Sequence, residues 1–376
     1  MPGIDKIPPF PEDVPTHPLL VVDYQLIQAG DENEVDKLWK AATQLGFWYL
    51  KNHGADEEVD AMFEMGAETM ALPLDEKMQF EQGDEGISFG YKAAGVNAID
   101  EKGNVDATEF INVSKDDALA FPKIVHRTYP RTVNVRMDAT IIPFVRKSLE
   151  INATLLEVLN AKLGLPKGTL ARLHKDEEQS GCVARVIKTP PQGKDTIDED
   201  KALLSAHTDF GSLSFLHNRL GGLQVLAPCT DKWQYVKPLP GHAICNIGDS
   251  LHIFSGGILR SNVHRVIAPP KEQASYERCS LVFFTRANDS IELCPLIEES
   301  PLIANTVASA PNARARFWPG VTAKEWLLRR NKYQRINNFK GPESYKASLG
   351  TEDYSSITRV KELVAGETGS VQSITA

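Results

Sequence analysis

No stretch of the 376-residue chain approaches the ~20 consecutive apolar residues that a membrane-spanning helix needs. The opening residues, Met1-Pro2-Gly3-Ile4-Asp5-Lys6-Ile7-Pro8-Pro9, lack the apolar centre of a secretory signal. Cysteine is scarce: the five residues Cys182, Cys229, Cys245, Cys279 and Cys294 are scattered and form no Cys-x-x-Cys pair. That set argues against a disulfide framework or a zinc ribbon and implies reduced, mostly buried thiols. Asn-x-Ser/Thr triplets begin at Asn112, Asn152 and Asn288, and without a signal they read as chance matches. Positive charge is in deficit, with 41 Lys+Arg against 50 Asp+Glu and a formal net charge of −9. Nucleic acid and anionic membranes both demand clustered positive charge, so neither is an expected partner. Internal repeats and low-complexity blocks are absent. The expectation is a cytoplasmic protein that handles a small molecule.

What is present is ordinary globular material, 42% hydrophobic and 24% charged, long enough to bury a sizeable core. Residues 1–18 are Pro-rich and polar and read as a lead-in. Residues 19–24 read as a short buried strand, 34–45 as a helix closed by Gly46, and 47–50 as an aromatic strand. Asp56 is placed to cap a helix striped with Val59, Met62, Phe63, Gly66 and Met70 and stopped by Pro73. A long scaffold helix follows Pro130 and ends at Gly164. From Cys182 the texture changes to short β-rich runs divided by Gly, Pro and Asp. They are 183–188, 203–207, 212–216, 223–226, 233–236, 243–247, 251–255, 264–267 and 280–286. A last helix spans roughly 322–338, and the polar tail after Thr351 is expected to wrap or fray. The fold class predicted is α+β with a mainly β core, a sandwich or jelly roll flanked by helices. The divisions are a lead-in 1–18, a helix-rich region 19–180, the β core 181–290 and a helical or irregular segment 291–376.

Most of the nine histidines have bland readings. His17, His126 and His174 have polar neighbours and read as surface residues, and His53 in Asn52-His53-Gly54 reads as turn chemistry. His207 stands apart, in Ala206-His207-Thr208-Asp209-Phe210-Gly211 at the end of a predicted strand. Residues two apart in an extended chain share a side, so His207 and Asp209 can point into one cavity. An imidazole and a carboxylate are two-thirds of a facial triad for Fe(II). His264, opening a later strand across the interior, is the best third ligand; His217, His242 and His252 compete. Arg278 and Ser280 share a strand face and together can receive a carboxylate. A two-oxygen chelate on the metal, with a distal carboxylate on Arg278 and Ser280, describes 2-oxoglutarate.

Further segments complete a pattern. They include Gly221-Gly222-Leu223-Gln224-Val225, Asn246-Ile247-Gly248-Asp249 and His264-Arg265-Val266, with Leu45-Gly46-Phe47-Trp48-Tyr49 and Asn52-His53-Gly54 earlier in the chain. In order and approximate spacing the chain resembles the isopenicillin N synthase-like family of Fe(II)/2-oxoglutarate-dependent dioxygenases, over roughly residues 19–340. The resemblance implies a double-stranded β-helix, a distorted jelly roll. It implies His207, Asp209 and His264 as iron ligands, with Arg278 and Ser280 on 2-oxoglutarate and O₂ as the other co-substrate. Monomers are common in the family. Many members carry Asn-x-Tyr before Pro-Pro, where this chain has Ile187-Lys188-Thr189-Pro190-Pro191. Thr189 keeps a hydroxyl but is much shorter than Tyr.

The reaction so implied is oxidative decarboxylation of 2-oxoglutarate to succinate and CO₂, coupled to hydroxylation, desaturation or cyclisation. Alternation from Ser280 puts Val282 and Phe284 on the cavity side, with Ile187 beside them. Phe89 and Tyr91, from a Gly-rich stretch, are candidates to cover the mouth. These side chains suggest an apolar or aromatic metabolite of a specialised pathway. Three alternatives stay open: a same-fold iron oxidase independent of 2-oxoglutarate, a zinc hydrolase that leaves Arg278 and Ser280 idle, and a silent receptor.

Overall fold

The computed structural model describes residues 7–192 and 202–351, so residues 1–6 of the lead-in and the polar tail lie outside it. Twelve strands are present among the described residues. They are β1 (Val21–Asp23), β2 (Phe47–Lys51), β3 (Gly90–Lys92), β4 (Glu109–Ser114), β5 (Val183–Thr189), β6 (Leu204–His207), β7 (Leu213–Asn218), β8 (Leu223–Leu226), β9 (Trp233–Tyr235), β10 (His242–Ile247), β11 (His264–Val266) and β12 (Arg278–Thr285). The large sheet runs β1-β2-β10-β7-β12-β5-β4-β3, and the small one β6-β11-β8-β9. Both contribute walls to one cavity. This is the double-stranded β-helix arrangement, with the two sheets separate rather than closed into one barrel.

Strand β12 shows how the sequence positions the site. It lies between β5 and β7, with Ser280 opposite Ile187 on one side and Asn218 on the other. Its even-numbered residues Arg278, Ser280, Val282 and Phe284 face the cavity. The odd residues Leu281 and Phe283 are fully buried on the other face. Behind them runs the helix Ile142–Lys162, whose Phe144 meets Phe283 edge-on at 6.4 Å and whose Asn152 Nδ2 donates to Thr285 Oγ1 at 2.6 Å. The helix Asp56–Ala71 packs on the same layer. A Cβ at Gly66 would stand 2.4 Å from Val186 Cγ1, so glycine lets that helix approach β5.

Several expectations need correction. Residues 251–255 are not a strand: Asp249–Phe254 is a helix, because a short apolar run carries no decisive periodicity. Asp56 begins its helix as the first-turn acid rather than capping it, and the N-cap is Ala55. The long helix after Pro130 is interrupted by a π-helical turn at Met137–Ile141. The later helix, Ala323–Gln334, starts from a capping box between Thr322 and Glu325. Strands β3 and β4 had no expectation; their polar, Gly-interrupted surroundings hide the alternation. No helix among the described residues is long and apolar enough to cross a membrane.

Candidate functional site

His207 closes β6 and His264 opens β11. The two strands are antiparallel neighbours with His264 directly opposite His207, so the histidines stand side by side rather than across the interior. Their ring centroids are 4.3 Å apart, and Phe47 packs edge-on against His264 at 5.2 Å. Each ring is fixed by its own backbone: His207 Nδ1 bonds Ser205 O at 2.7 Å, and His264 Nδ1 bonds Asn262 O at 3.1 Å. A carbonyl only accepts, so both Nδ1 atoms carry a proton and Nε2 is the ring atom each histidine has left for a metal. Those Nε2 atoms each lie 3.7 Å from Asp209 Oδ1.

Asp209 sits two residues past the end of β6. Its Oδ2 accepts from Ser214 Oγ at 2.5 Å and Asn246 Nδ2 at 2.7 Å, which leaves Oδ1 for the histidines. Burial alone would raise its carboxyl. His264, His207 and the two hydrogen bonds outweigh that and hold it down at about 2. Burial, with His264 beside it, pushes His207 the other way, down to about 3. Two imidazole nitrogens and one ionised carboxylate converge, and the three ligand atoms lie within 4.8 Å of one another. This donor set fits Fe(II), whose facial triad is two histidines and a carboxylate.

Arg278 and Ser280 line the same cavity and are buried. Arg278 Nη1 donates to Ser280 Oγ at 2.7 Å and Nε to Gly221 O at 2.7 Å. Burial lowers the guanidinium to about 10, so it stays charged at neutral pH. Gly222, at φ +103°, passes so close that a Cβ would stand 2.6 Å from Ile267 O. Ile187, Val282 and Phe284 are in the wall, as alternation predicts. Thr189 is not: it pairs with Arg278 across the β5–β12 ladder, fully buried outside the lining, and its Oγ1 has no partner among the described residues.

Phe89 and Tyr91 do not cover the mouth. Tyr91 is buried with its hydroxyl donating to Glu109 Oε2 at 2.5 Å, and Phe89 stacks on His126 at 4.4 Å. The outer wall instead includes Gln82, Asn97, Asn331 and Gln334. The competing histidines are committed elsewhere. His217 packs against His53 at 5.4 Å, His252 Nδ1 bonds Leu259 O, and half-buried His242 bonds Pro240 O. His174 is half-buried rather than a free surface residue: it joins Leu170 O at 2.7 Å to Ser212 Oγ at 2.6 Å. Among the cavity residues that were missed are two charged ones, Arg185 and Arg286. The signal was present, since Arg286 is one more even step beyond Phe284 and Arg185 is two before Ile187.

Comparison with known proteins agrees with this geometry. Residues 180–287 match the model of the 2OG-Fe(II) oxygenase superfamily. Residues 19–133 match that of the non-haem dioxygenase in morphine synthesis N-terminal region. A 2-oxoglutarate-dependent dioxygenase of Dothideomycetidae sp. (strain 11243) is 28% identical over 281 residues, covering 73% of this chain and 84% of the relative. The homoarginine-6-hydroxylase of Oryza sativa subsp. japonica is 27% identical, covering 74% and 84%. Among solved structures, a full-length Neurospora crassa protein in complex with alpha-KG and thymine aligns with a TM-score of 0.66 at 20% identity, over 85% of this chain and 98% of that one. JOX2 in complex with 2OG, Fe and JA aligns with a TM-score of 0.66 at 21% identity, over 92% of both. The two family models together span more than half of the chain, and several of the relatives are 2-oxoglutarate-dependent dioxygenases, which favours that reading over a 2-oxo-acid-independent oxidase. The chain belongs to the Fe(II)/2-oxoglutarate-dependent dioxygenases.

Proposed function

We propose that His207 Nε2, His264 Nε2 and Asp209 Oδ1 hold the Fe(II), and that Arg278 with Ser280 receives the distal carboxylate of 2-oxoglutarate. The carrying observation is the convergence of two imidazole nitrogens on one free carboxylate oxygen, every other polar atom of the three side chains being hydrogen-bonded. When bound, the iron supplies O₂ activation coupled to decarboxylation of 2-oxoglutarate.

The chain's own share is to bind, orient and exclude water. The Ser205 and Asn262 carbonyls keep both imidazoles in one tautomer. Ser214 and Asn246 hold Asp209 ionised and aimed. Arg278 offers a buried charge, and Ser280 supplies a hydroxyl beside it. Leu204, Leu223 and Val266 form a dry wall from the small sheet, and Ile187, Val282 and Phe284 form one from the large sheet. The apolar lining favours a small, largely apolar or aromatic metabolite, oxidised by hydroxylation, desaturation or cyclisation. The fungal relatives support a specialised small-molecule pathway. We place the reaction in the cytoplasm and assign it to a monomer.

The test is an anaerobic titration of the Fe(II)-loaded protein with 2-oxoglutarate, followed by visible absorbance. A weak charge-transfer band that saturates is expected. Arg278→Ala should shift its midpoint roughly tenfold or more, the worth of a charge-assisted contact. Iron demonstrably bound with no band would overturn the co-substrate assignment, and an unmoved midpoint would reject the Arg278 anchor.

A further inference from the structure

Three arginines line the cavity, and the 2-oxoglutarate assignment above uses only Arg278. Arg185 on β5 and Arg286 just beyond β12 share Phe284: each guanidinium carbon lies 5.0 Å from that ring's centroid. Arg185 also lies 4.0 Å over Phe110, and its Nε donates to Asn112 Oδ1 at 2.7 Å. Its terminal nitrogens have no partner among the described residues. Arg286 is buried; Nη1 donates to Gly181 O, while Nε has no partner among the described residues.

Neither guanidinium meets a carboxylate among the described residues. Other buried arginines do: Arg330 pairs with Asp249, and Arg335 with Glu81 and Asp84. The single acid in the cavity wall is Asp209, whose Oδ2 is taken by Ser214 and Asn246 and whose Oδ1 faces the two histidines. Burial, and then the neighbouring Arg286 charge, lowers Arg185 to about 9, which still leaves it protonated at neutral pH. Asp209 attracts both guanidiniums without touching either; a cavity guanidinium with no carboxylate bonded to it is unfavourable, and packing on Phe284 needs no charge at all. The co-substrate dianion does not supply the missing charge, because it is matched by the metal and Arg278, with Asp209 beside them. Two clamped guanidinium forks are left over, and that geometry suits a carboxylate.

We propose that the primary substrate is an organic carboxylate, its anionic group received by Arg185 and Arg286 beside Phe284 and its apolar part lying against Ile187, Val282 and Leu216. This refines the apolar-metabolite reading and rests on the iron and 2-oxoglutarate assignment above. Anchoring at one end fixes which carbon of the substrate is presented to the metal.

The test compares acids with their own amides on the Fe(II)- and 2-oxoglutarate-loaded protein without oxygen. The probes are phenylacetate, 3-phenylpropionate and octanoate, each against its primary amide, with binding measured by calorimetry. At least one acid should bind roughly tenfold or more tighter than its amide. Arg185→Gln and Arg286→Gln should each abolish that preference while leaving the 2-oxoglutarate midpoint within about twofold, since neither is the residue assigned to the co-substrate. No preference in any wild-type pair overturns the proposal without recourse to a variant that has to fold. So does a preference that survives both substitutions. If the variants weaken 2-oxoglutarate instead, the arginines belong to the co-substrate. Failure of the underlying assignment looks different, because the wild-type charge-transfer band is then absent before any probe is added.

Discussion

At His207 and His264 the same local device recurs: Nδ1 bonds the carbonyl two residues back, and Nε2 faces Asp209. Asp209 has its own supports. Ser214 and Asn246 draw on Oδ2, so the free oxygen points one way. Groups that orient a ligand matter nearly as much as the ligand itself. Asn246→Ala is therefore expected to weaken Fe(II) binding by roughly 10–100-fold, with the far-ultraviolet circular dichroism unchanged. Metal affinity equal to the parent's would show that Asp209 is held without Asn246. The His-x-Asp spacing was visible in the sequence because it is local. Ser214 and Asn246 were not, because the strands that carry them, β7 and β10, come beside Asp209 only through the sheet. Arg185 and Arg286 escaped for a related reason: a guanidinium reads as surface until its neighbours are known.

On the element scale, alternation along β12 was legible and the helices behind it were legible as stripes. What one-dimensional pattern does not carry is which elements touch. Gly66 could be read as part of an apolar stripe, yet its role is to admit Val186. Gly66→Ala would force its Cβ against that side chain, at an ideal separation of 2.4 Å. Overpacking of this kind costs about 1–3 kcal/mol. Since β5 also carries Arg185 and Ile187 on its other face, the displaced strand should disturb the cavity wall. The expected outcome is a lower urea midpoint with an unchanged m-value, and a midpoint equal to the parent's would mean the helix moves away freely. The run at 251–255 teaches the converse. Leu251, Ile253 and Phe254 suit either element, and burial of Asp249 on Arg330 is a long-range fact that favours the helix start.

Over the whole molecule, the sequence's order of motifs was enough for the two-sheet fold, but it placed His264 across the interior from His207. Pairing of β6 with β11 makes them neighbours, a relation that only the assembled small sheet defines. The assembled fold also half-buries histidines that have polar neighbours in sequence. His174 is one: burial lowers it to about 4, although the Leu170 carbonyl opposes the shift. It ties the helix Thr169–Arg172 to Ser212, close to the turn that bears Asp209. The sign of its effect follows from linkage. Above its ordinary value of 6.5 both folded and unfolded states are neutral, and stability does not depend on it. Between 6.5 and about 4 the unfolded chain takes a proton that the folded chain refuses, so stability falls as pH falls. From pH 7 to 5 this one group should remove roughly 2 kcal/mol. His53, His207, His217 and His252 are lowered by burial too and act in the same direction. The urea midpoint of the metal-free protein should therefore drop on acidification. His174→Gln, which keeps a polar side chain but cannot titrate, should drop by less. Equal losses in parent and variant would show that His174 is free to take its proton in the folded state, and that its link to Ser212 does not depend on the neutral ring.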